Sequence, residues 1–152
     1  MIKNNDDIHF IFSGKGPYEN LINKESEKLN IHNIGITQSE DVAAVMKHSN
    51  LMCLPSRSEG FCIALLEAAA CKLPSLITKV GIADKLIINN SFGFILEKRD
   101  RKEIAKWITT LYNKKDTLLK IGENVYKEVL ANYSWSNTAK KLLKEVDADT
   151  NE

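Results

Sequence analysis

The residues best suited to chemistry are two glutamates, Glu59 and Glu67, which stand eight positions apart. Glu67 is the only charged residue between Cys62 and Cys71, and a carboxylate in such apolar surroundings is costly to bury unless a partner satisfies it. The adjacent hydroxyls of a ribose are one such partner, because carboxylate oxygens accept hydrogen bonds from both. A second interpretation, equally open, places Glu67 on the solvent-facing side of a helix of small residues.

Backbone amides follow Glu59 directly. Gly60 supplies flexible backbone, and Gly60, Phe61 and Cys62 lead into a predicted helix, whose first N–H groups lack partners inside the helix and attract anions. A carboxylate, an amide cradle and a second carboxylate, in that order, suit a ligand that carries hydroxyls, phosphates and a ribose. A nucleotide sugar has that composition.

A loop with two glycines follows the first predicted strand, at Ser13-Gly14-Lys15-Gly16-Pro17. Two glycines between a strand and a helix let the backbone approach a ligand, and the helix N-terminus that follows favours anions. Glu19 stands where the dinucleotide fingerprint G-x-G-x-x-G has its third glycine, so that fingerprint is not met. A simple tight turn explains these glycines equally well.

Short apolar runs alternate with amphipathic stretches and predict the elements that carry these loops. We expect strands at residues 9–12, 31–36, 51–54, 74–78 and 93–96, and helices at 17–29, 39–49, 62–71, from 100 onward and from about 134 onward. Nearly all-apolar strands between helices predict a parallel sheet covered on both faces, in a doubly wound, Rossmann-like α/β fold with a helical C-terminal segment. Ligands of such a sheet bind outside the carboxyl ends of its strands.

Two details of this fold are predicted by residue. Asp100 and Glu103 form a capping-box-like pair at the start of the helix that follows the last strand. The core of the sheet is expected to include Phe10, Phe12, Leu51, Cys53, Leu76 and Ile77.

The size and composition of the chain limit the classes of function that it can have. Its 152 residues predict a single domain over residues 1–152, and 43% hydrophobic and 27% charged residues are typical of a globular protein. A net charge of +1 argues against a nucleic-acid binder that relies on a general basic field. The apolar stretches are shorter than a membrane span and residues 1–7 do not resemble a signal peptide, so we expect a soluble, cytoplasmic domain.

The cysteines and the charge distribution add two expectations. Cys53, Cys62 and Cys71 are nine residues apart and match no metal or redox signature, so we expect reduced thiols that behave as small hydrophobes. Residues 97–145 carry twelve Lys or Arg and seven Asp or Glu. This excess could lean on the anionic inner face of a membrane, although lysines on solvated helix faces explain it more simply.

A series of motifs runs along nearly the whole chain. It comprises Gly14-Lys15-Gly16-Pro17, Ile34-Gly35, Pro55-Ser56, Glu59-Gly60-Phe61 through Glu67, Ala68-Ala69-Ala70-Cys71-Lys72-Leu73-Pro74, Thr78 with Gly81, and Tyr133-Ser134-Trp135. In order and spacing this series resembles the C-terminal, donor-binding half of the retaining group 1 (family 4) glycosyltransferases. The stretch from Glu59 to Glu67 is similar to the E-x7-E motif of that family.

The resemblance implies one half of the GT-B architecture, in which two Rossmann-like domains face a cleft. The implied reaction, typical of polysaccharide biosynthesis, transfers a hexose from a UDP- or GDP-linked sugar to a glycan or lipid-linked acceptor. It retains the anomeric configuration and needs no cofactor and no essential metal. The N-terminal acceptor domain or subunit is absent from this chain, so we expect a fragment or a separately encoded half that is inactive alone.

The resemblance also implies a role for each matching residue. Glu59 would be the catalytic residue that holds the hydroxyls of the donor sugar, and Glu67 would hold the ribose. The backbone at Gly60 and Phe61 would meet the sugar and the diphosphate. The remaining matching positions would be Gly14 and Gly16 in the cleft and Ile34 and Gly35 at the base. Arg57 and Cys62 do not match the family, and we expect them to bind substrate near the diphosphate because they lie in the same loop.

Three features depart from the family pattern. Cys62 stands where the family usually has glycine. The usual G-G-x-x-E-like segment is reduced to Gly81-Ile82-Ala83-Asp84. The Arg and Lys with which the family neutralises the diphosphate would lie upstream of this chain, and Lys15 and Arg57 do not match them.

Three hypotheses about function follow. The chain is part of a transferase, or a module that binds a nucleotide without transferring a sugar, or an inactive remnant used in protein association. An acceptor domain encoded upstream would favour the first hypothesis, and nucleotide binding would distinguish the second from the third.

Overall fold

Strands and helices alternate along the chain in the computed structural model, which describes residues 7–26, 30–36 and 38–149. The chain is α/β, as predicted, and its last three helices follow one another without a strand. In chain order the elements are β1 (Phe10–Ser13), α1 (Glu19–Ser26), β2 (Ile31–Gly35), α2 (Ser39–His48), β3 (Met52–Leu54), α3 (Ile63–Ala70), β4 (Ser75–Thr78), α4 (Ala83–Leu86), β5 (Phe94–Leu96), α5 (Arg101–Tyr112), α6 (Lys115–Asn132) and α7 (Trp135–Asp149).

These elements fall into two compact units, unit 1 (Met1–Val45) and unit 2 (Met46–Glu152). In unit 1 the strands β1 and β2 form a two-stranded parallel sheet, and in unit 2 a three-stranded parallel sheet has the order β3-β4-β5. The parallel direction and the Rossmann-like class are confirmed. The described strands form two sheets where one was predicted, because apolar runs identify strands but carry little information about which strands pair. The single-domain organisation remains a prediction.

Helices cover both faces of the sheet in unit 2. Leu76 and Ile77 are adjacent on the central strand β4, and both side chains are fully buried. Because successive strand residues point to opposite faces, each belongs to a different core cluster. The cluster around Ile77 draws on α3, α4 and α6, and the cluster around Leu76 draws on α5 and α6. Thus α6 contributes to both cores.

The predicted core is confirmed on the central strand and is wrong at two other positions. Leu76 and Ile77 are buried as expected, and Leu51 packs against the cluster around Leu76. Phe12 is 41% exposed and Cys53 is also exposed. Phe12 lies in a sheet of only two strands and Cys53 lies on an edge strand, so each has a neighbouring strand on one side only.

The predicted capping pair at α5 is half right. The Asp100 carboxylate caps the helix and accepts hydrogen bonds from the N–H groups of Lys102 (2.8 Å) and Glu103 (3.3 Å). The Glu103 carboxylate reaches the loop before the cap, where it accepts from the N–H groups of Glu97 (2.9 Å) and Lys98 (2.8 Å). Both carboxylates are therefore bonded to backbone, and they fix the connection between β5 and α5.

Several element boundaries differ from the prediction. Helix α1 begins at Glu19, two residues after the expected Pro17, and residues 27–29 of its predicted C-terminus lie outside the described residues. The four-residue helix α4 was not predicted, because it is too short to show a helical period. Helix α7 begins at Trp135, as expected. None of the described helices combines the length and apolarity needed to cross a bilayer.

The C-terminal end of α3 is fastened to α6. Lys72, just beyond α3, has the left-handed φ of 59°, and its carbonyl oxygen lies against Gly122 so closely that a Cβ there would collide with it. The Lys72 ammonium pairs with the Glu123 carboxylate at 2.7 Å and lies 5.0 Å from the centre of the Tyr126 ring. Backbone packing and a local charge pair thus hold α3, the helix that carries Glu67, in one place.

We expect Gly122→Ala to destabilise unit 2, because the added methyl meets backbone that no side-chain rotation can move. Overpacking of this kind costs about 1–3 kcal/mol. Urea denaturation monitored by the fluorescence of Trp107, which packs on Phe94 in the core, measures the loss. Gly16→Ala is the control, because a Cβ at Gly16 meets nothing within 4 Å and should change stability by less than about 1 kcal/mol. Equal stabilities of the two variants would contradict the packing argument.

Candidate functional site

The carboxyl edge of the unit 2 sheet holds Glu59 in a defined orientation. Glu59 is half-buried in the loop after β3, where the Ser56 hydroxyl donates a hydrogen bond to its Oε1 at 2.7 Å. The Thr78 hydroxyl, at the end of β4, in turn donates to the Ser56 carbonyl oxygen at 2.7 Å. Two hydrogen bonds therefore connect the Glu59 carboxylate to the end of the neighbouring strand, which limits its freedom to rotate.

The predicted amide cradle follows Glu59. Gly60 is exposed, Phe61 is 52% exposed, and Cys62 is buried at the N-cap position of α3. No side chain of the described residues caps α3, and its first turn carries no acidic residue. The Leu65 N–H turns back to the Cys62 carbonyl oxygen at 3.1 Å, and the Ile63 and Ala64 N–H groups have no partner among the described residues, so these two remain open to an anion from outside.

Cys62 adopts a backbone conformation that normally favours glycine. Its φ of 70° and ψ of 61° lie in the left-handed region, which costs an L-residue roughly 1–2 kcal/mol. Its side chain is 4% exposed and belongs to the core cluster around Ile77, so burial offsets part of that cost. This conformation explains in physical terms the glycine that the family resemblance leads one to expect here.

The turn after β4 packs against the loop that carries Phe61 and Cys62. The Ile82 N–H donates to the Phe61 carbonyl oxygen at 3.2 Å. Gly81 has a φ of 54°, and a Cβ there would lie 2.7 Å from the Phe61 oxygen and 2.9 Å from the Cys62 Cβ. Only glycine fits at such an approach. Asp84, in the same segment, pairs with Lys79 at 3.8 Å across an exposed surface.

Glu67 lies on the exposed face of α3. Leu65, Ala68 and Ala69 face the core, whereas Ile63 and Glu67, one turn apart, face outward. Helical side chains tilt toward the helix N-terminus, so the Glu67 carboxylate leans over the turn that holds Ile63. Its carboxylate has no hydrogen bond or ion pair with any described residue. Glu67 is therefore exposed to solvent, and its ribose role remains a prediction.

The negative charge of Glu59 affects the pKa of the Cys62 thiol. Burial raises the pKa of the Cys62 thiol, the Leu65 N–H lowers it, and the negative charge of Glu59 raises it further. Glu59 is therefore close enough to the start of α3 to act on a group there. Arg57 is exposed in the same loop and makes no ion pair within the described residues.

The predicted site residues of unit 1 form a second group. The Gly14 N–H donates to the Gly35 carbonyl oxygen at 2.7 Å, so the loops after β1 and β2 meet at the carboxyl ends of their strands. Gly14 (φ 114°) and Gly35 (φ 65°) both need glycine's backbone freedom. Gly16 accepts from the Glu19 N–H at 3.1 Å, and Ile34 is half-buried in β2.

The comparison that decides the family is a match of residues 1–128 to the profile described as glycosyl transferases group 1. The chain belongs to the group 1 glycosyl transferases. An uncharacterised glycosyltransferase of Methanocaldococcus jannaschii is 30% identical over 132 residues, which cover 85% of this chain and 37% of that protein. The chain spans about a third of the length of the curated relatives it matches.

Solved structures share the fold of this group 1 chain. HepE of Anabaena, crystallised in complex with UDP, superposes with a TM-score of 0.78 at 16% identity, over 93% of this chain and 41% of HepE. The C-terminal domain of the group 1 glycosyl transferase LpcC of Francisella tularensis gives 0.74 at 23% identity, over 88% of this chain and 74% of that domain. At these identities the likeness extends to the fold alone.

The sequence of this group 1 chain identifies the candidate site residues but not the residues that position them. Glu59, Gly60, Phe61 and Cys62 lie together in unit 2 at the start of the helix that carries Glu67. Ser56, Thr78 and Gly81 were motif residues without a role, and each proves to position part of that loop. Hydroxyl residues at the ends of adjacent parallel strands were the available signal.

We expect Glu59→Gln to lower the pKa of the Cys62 thiol, because the substitution removes a negative charge that disfavours the thiolate. In a Cys53→Ala/Cys71→Ala background, the ultraviolet absorbance of the Cys62 thiolate, which does not require access to a reagent, should therefore rise at a lower pH than in the parent. Glu67→Gln is the matched control and should leave the profile unchanged. Identical profiles for all three proteins would show that Glu59 does not lie near the thiol.

Proposed function

We propose that this chain is the donor-binding half of a retaining, family 4 hexosyltransferase that uses a nucleotide diphosphate sugar. The observation that carries the proposal is the arrangement in unit 2. A carboxylate held by Ser56 precedes an open helix N-terminus, and an unpaired carboxylate leans toward the same end of the helix. Along the chain, such a surface offers a carboxylate that accepts hydrogen bonds from hydroxyls, then an anion site, and then a second such carboxylate.

Glu59 binds the donor sugar in this proposal. Its Oε1 already accepts from Ser56, which leaves further acceptor positions of the carboxylate for sugar hydroxyls. The N–H groups at Gly60, Phe61 and the first turn of α3 receive the diphosphate, where the positive end of the helix stabilises negative charge. Exposed Arg57 adds a cation on the same loop. These groups stabilise charge that develops on the departing nucleotide diphosphate.

Glu67 accepts hydrogen bonds from the ribose hydroxyls. Its exposure is an advantage for this role, because a carboxylate without a protein partner loses no internal bond when a ligand arrives. In unit 1 the proposal assigns Ile34 and Gly35 to the base and Gly14 and Gly16 to the cleft that faces the acceptor. The support there is the hydrogen bond that joins the two loops at the carboxyl ends of their strands.

An N-terminal acceptor domain or subunit completes the enzyme. This chain matches only 30% to 37% of the length of these curated relatives, which supports a further domain in the complete enzyme. The Arg and Lys of the family would lie upstream of this chain, and these cations would stabilise the diphosphate without a cofactor or an essential metal. The acceptor is a glycan or lipid-linked glycan of polysaccharide biosynthesis, and transfer takes place on the cytoplasmic side.

We expect Glu67 to bind the ribose of the donor and Glu59 to bind its sugar. Calorimetric titration with UDP and GDP should show that Glu67→Ala weakens binding of the preferred nucleotide roughly 10- to 150-fold, since hydrogen bonds to a charged group contribute about 1.5–3 kcal/mol. Glu59→Gln is the matched control, which should bind the bare nucleotide normally and lose the additional affinity for the nucleotide sugar. Unchanged affinity in a folded Glu67→Ala protein would reject the ribose assignment.

We expect this chain to bind a nucleotide weakly by itself and to transfer no sugar. Orientation of the two substrates supplies about 7–11 kcal/mol of the barrier reduction, so a missing acceptor domain should abolish activity. The assay compares the isolated chain with the chain joined to the upstream-encoded acceptor domain, using the same donor panel and acceptor, with and without a chelator. Robust transfer by the isolated chain would refute the proposed division, and loss of transfer in chelator would refute metal independence.

A further inference from the structure

Five unpaired cations surround the start of α5. Within nine residues the chain places Lys98, Arg99, Arg101, Lys102 and Lys106, and all of them are exposed. None of the five side chains makes an ion pair or hydrogen bond with a described residue. We refer to these five residues as the basic cluster.

The acidic residues inside the basic cluster are occupied elsewhere. Asp100 caps α5 through the N–H groups of Lys102 and Glu103, and the Glu103 carboxylate accepts from the N–H groups of Glu97 and Lys98. Both carboxylates therefore face the backbone. The cations stand outside them and have full access to solvent.

Helix stability does not account for the basic cluster. Arg101 and Lys102 are the first two residues of α5, where the helix dipole presents its positive end and cations are disfavoured. Lys102 and Lys106 lie one turn apart, on the side opposite Ile104, Trp107 and Leu111, so they cover no apolar surface of the core. Their positions suit a partner outside the chain.

The basic cluster and the candidate donor site both lie at the carboxyl ends of the unit 2 strands. Strands β3, β4 and β5 are parallel, so the loops that follow them leave the same edge. The Glu59 loop follows β3 and the basic cluster follows β5, two strands away. Adjacent strands are about 4.8 Å apart, which separates the bases of the two loops by roughly 10 Å.

We propose that the basic cluster docks unit 2 onto an anionic lipid bilayer, with the donor-binding edge of the sheet close to the membrane surface. Long, flexible, exposed cations suit the diffuse negative charge of a bilayer surface, and each contributes about fivefold in affinity. The inference that unit 2 docks on a bilayer rests on the basic cluster alone. Its use, which is to bring the donor to a lipid-linked acceptor, rests on the proposed function.

The remaining lysines of the C-terminal helices are poorer candidates for docking. On α7 the cations Lys140, Lys141 and Lys144 are followed by acids at 145, 147 and 149, so that helix has no net charge. On α6 the lysines at 115, 120 and 127 alternate with Asp116, Glu123 and Glu128. Neither α6 nor α7 has a net charge over its full length, whereas residues 98–106 carry five cations and two carboxylates.

The test is co-sedimentation of the 152-residue chain with vesicles of phosphatidylcholine, alone or mixed with phosphatidylglycerol. The chain should bind only the anionic vesicles, and binding should weaken as salt rises. Arg99→Glu/Arg101→Glu/Lys102→Glu should reduce binding roughly 100-fold or more, from about fivefold for each of three cations. Glutamates are favourable in the first turn of a helix, so this variant should fold. If it does not, the corresponding glutamine triple replaces it.

The matched control is Lys140→Glu/Lys141→Glu/Lys144→Glu, which makes the same change in charge on α7 and should alter binding no more than a few-fold. Equal loss in both triples, or no binding by the parent chain, overturns the proposal. Release by inorganic phosphate but not by chloride of equal ionic strength also overturns it, because the surface would then be a phosphate site. Titration of the same proteins with UDP separates this question from the proposed function, since vesicle binding does not require a nucleotide site.

Discussion

The candidate site depends on one close contact, the approach of the turn after β4 to the backbone at Phe61 and Cys62. Gly81 has no Cβ and Ile82 donates to the Phe61 carbonyl, so the two loops touch at backbone distance. That contact keeps Cys62 in a left-handed conformation and directs the chain into α3. Without it, the amides after Glu59 would have no fixed direction, and neither an anion site nor a defined distance to Glu67 would exist.

The C-terminal end of α3 is held by backbone packing and a charge pair. The Lys72 carbonyl packs on Gly122, and a surface charge pair with Glu123 adds to the backbone contact. Because an exposed pair contributes at most about 1 kcal/mol, the packing is the stronger of the two. With both ends of α3 fixed, Glu67 is held at a set distance from the loop that carries Glu59. Rigid spacing matters for the proposed ligand, whose sugar, diphosphate and ribose are covalently connected at set separations.

Some charged side chains of unit 2 bond within the protein, and others are left for a ligand or partner. The carboxylates of Asp100 and Glu103 bond to backbone, and Glu59 is oriented by Ser56, whereas Glu67 has no partner among the described residues. In the described part of the chain, the cations near α5 have no partner either. A net charge of +1 conceals this separation. In the proposed enzyme, the same sheet edge would offer carboxylates and amides to a soluble donor, and cations to the surface that presents its acceptor.

The sequence determined the parallel α/β class, the buried strand at Leu76 and Ile77, the cap at Asp100 and the two glutamates, because apolar runs, capping residues and motif spacing are local signals. Tertiary structure decided the rest. Pairing into two sheets left Phe12 and Cys53 exposed, since exposure depends on which strands are neighbours. Glu67 faces solvent because α3 turns Leu65, Ala68 and Ala69 inward. The support of Glu59 by Ser56 and Thr78 joins residues 22 positions apart, a distance in sequence that only folding closes.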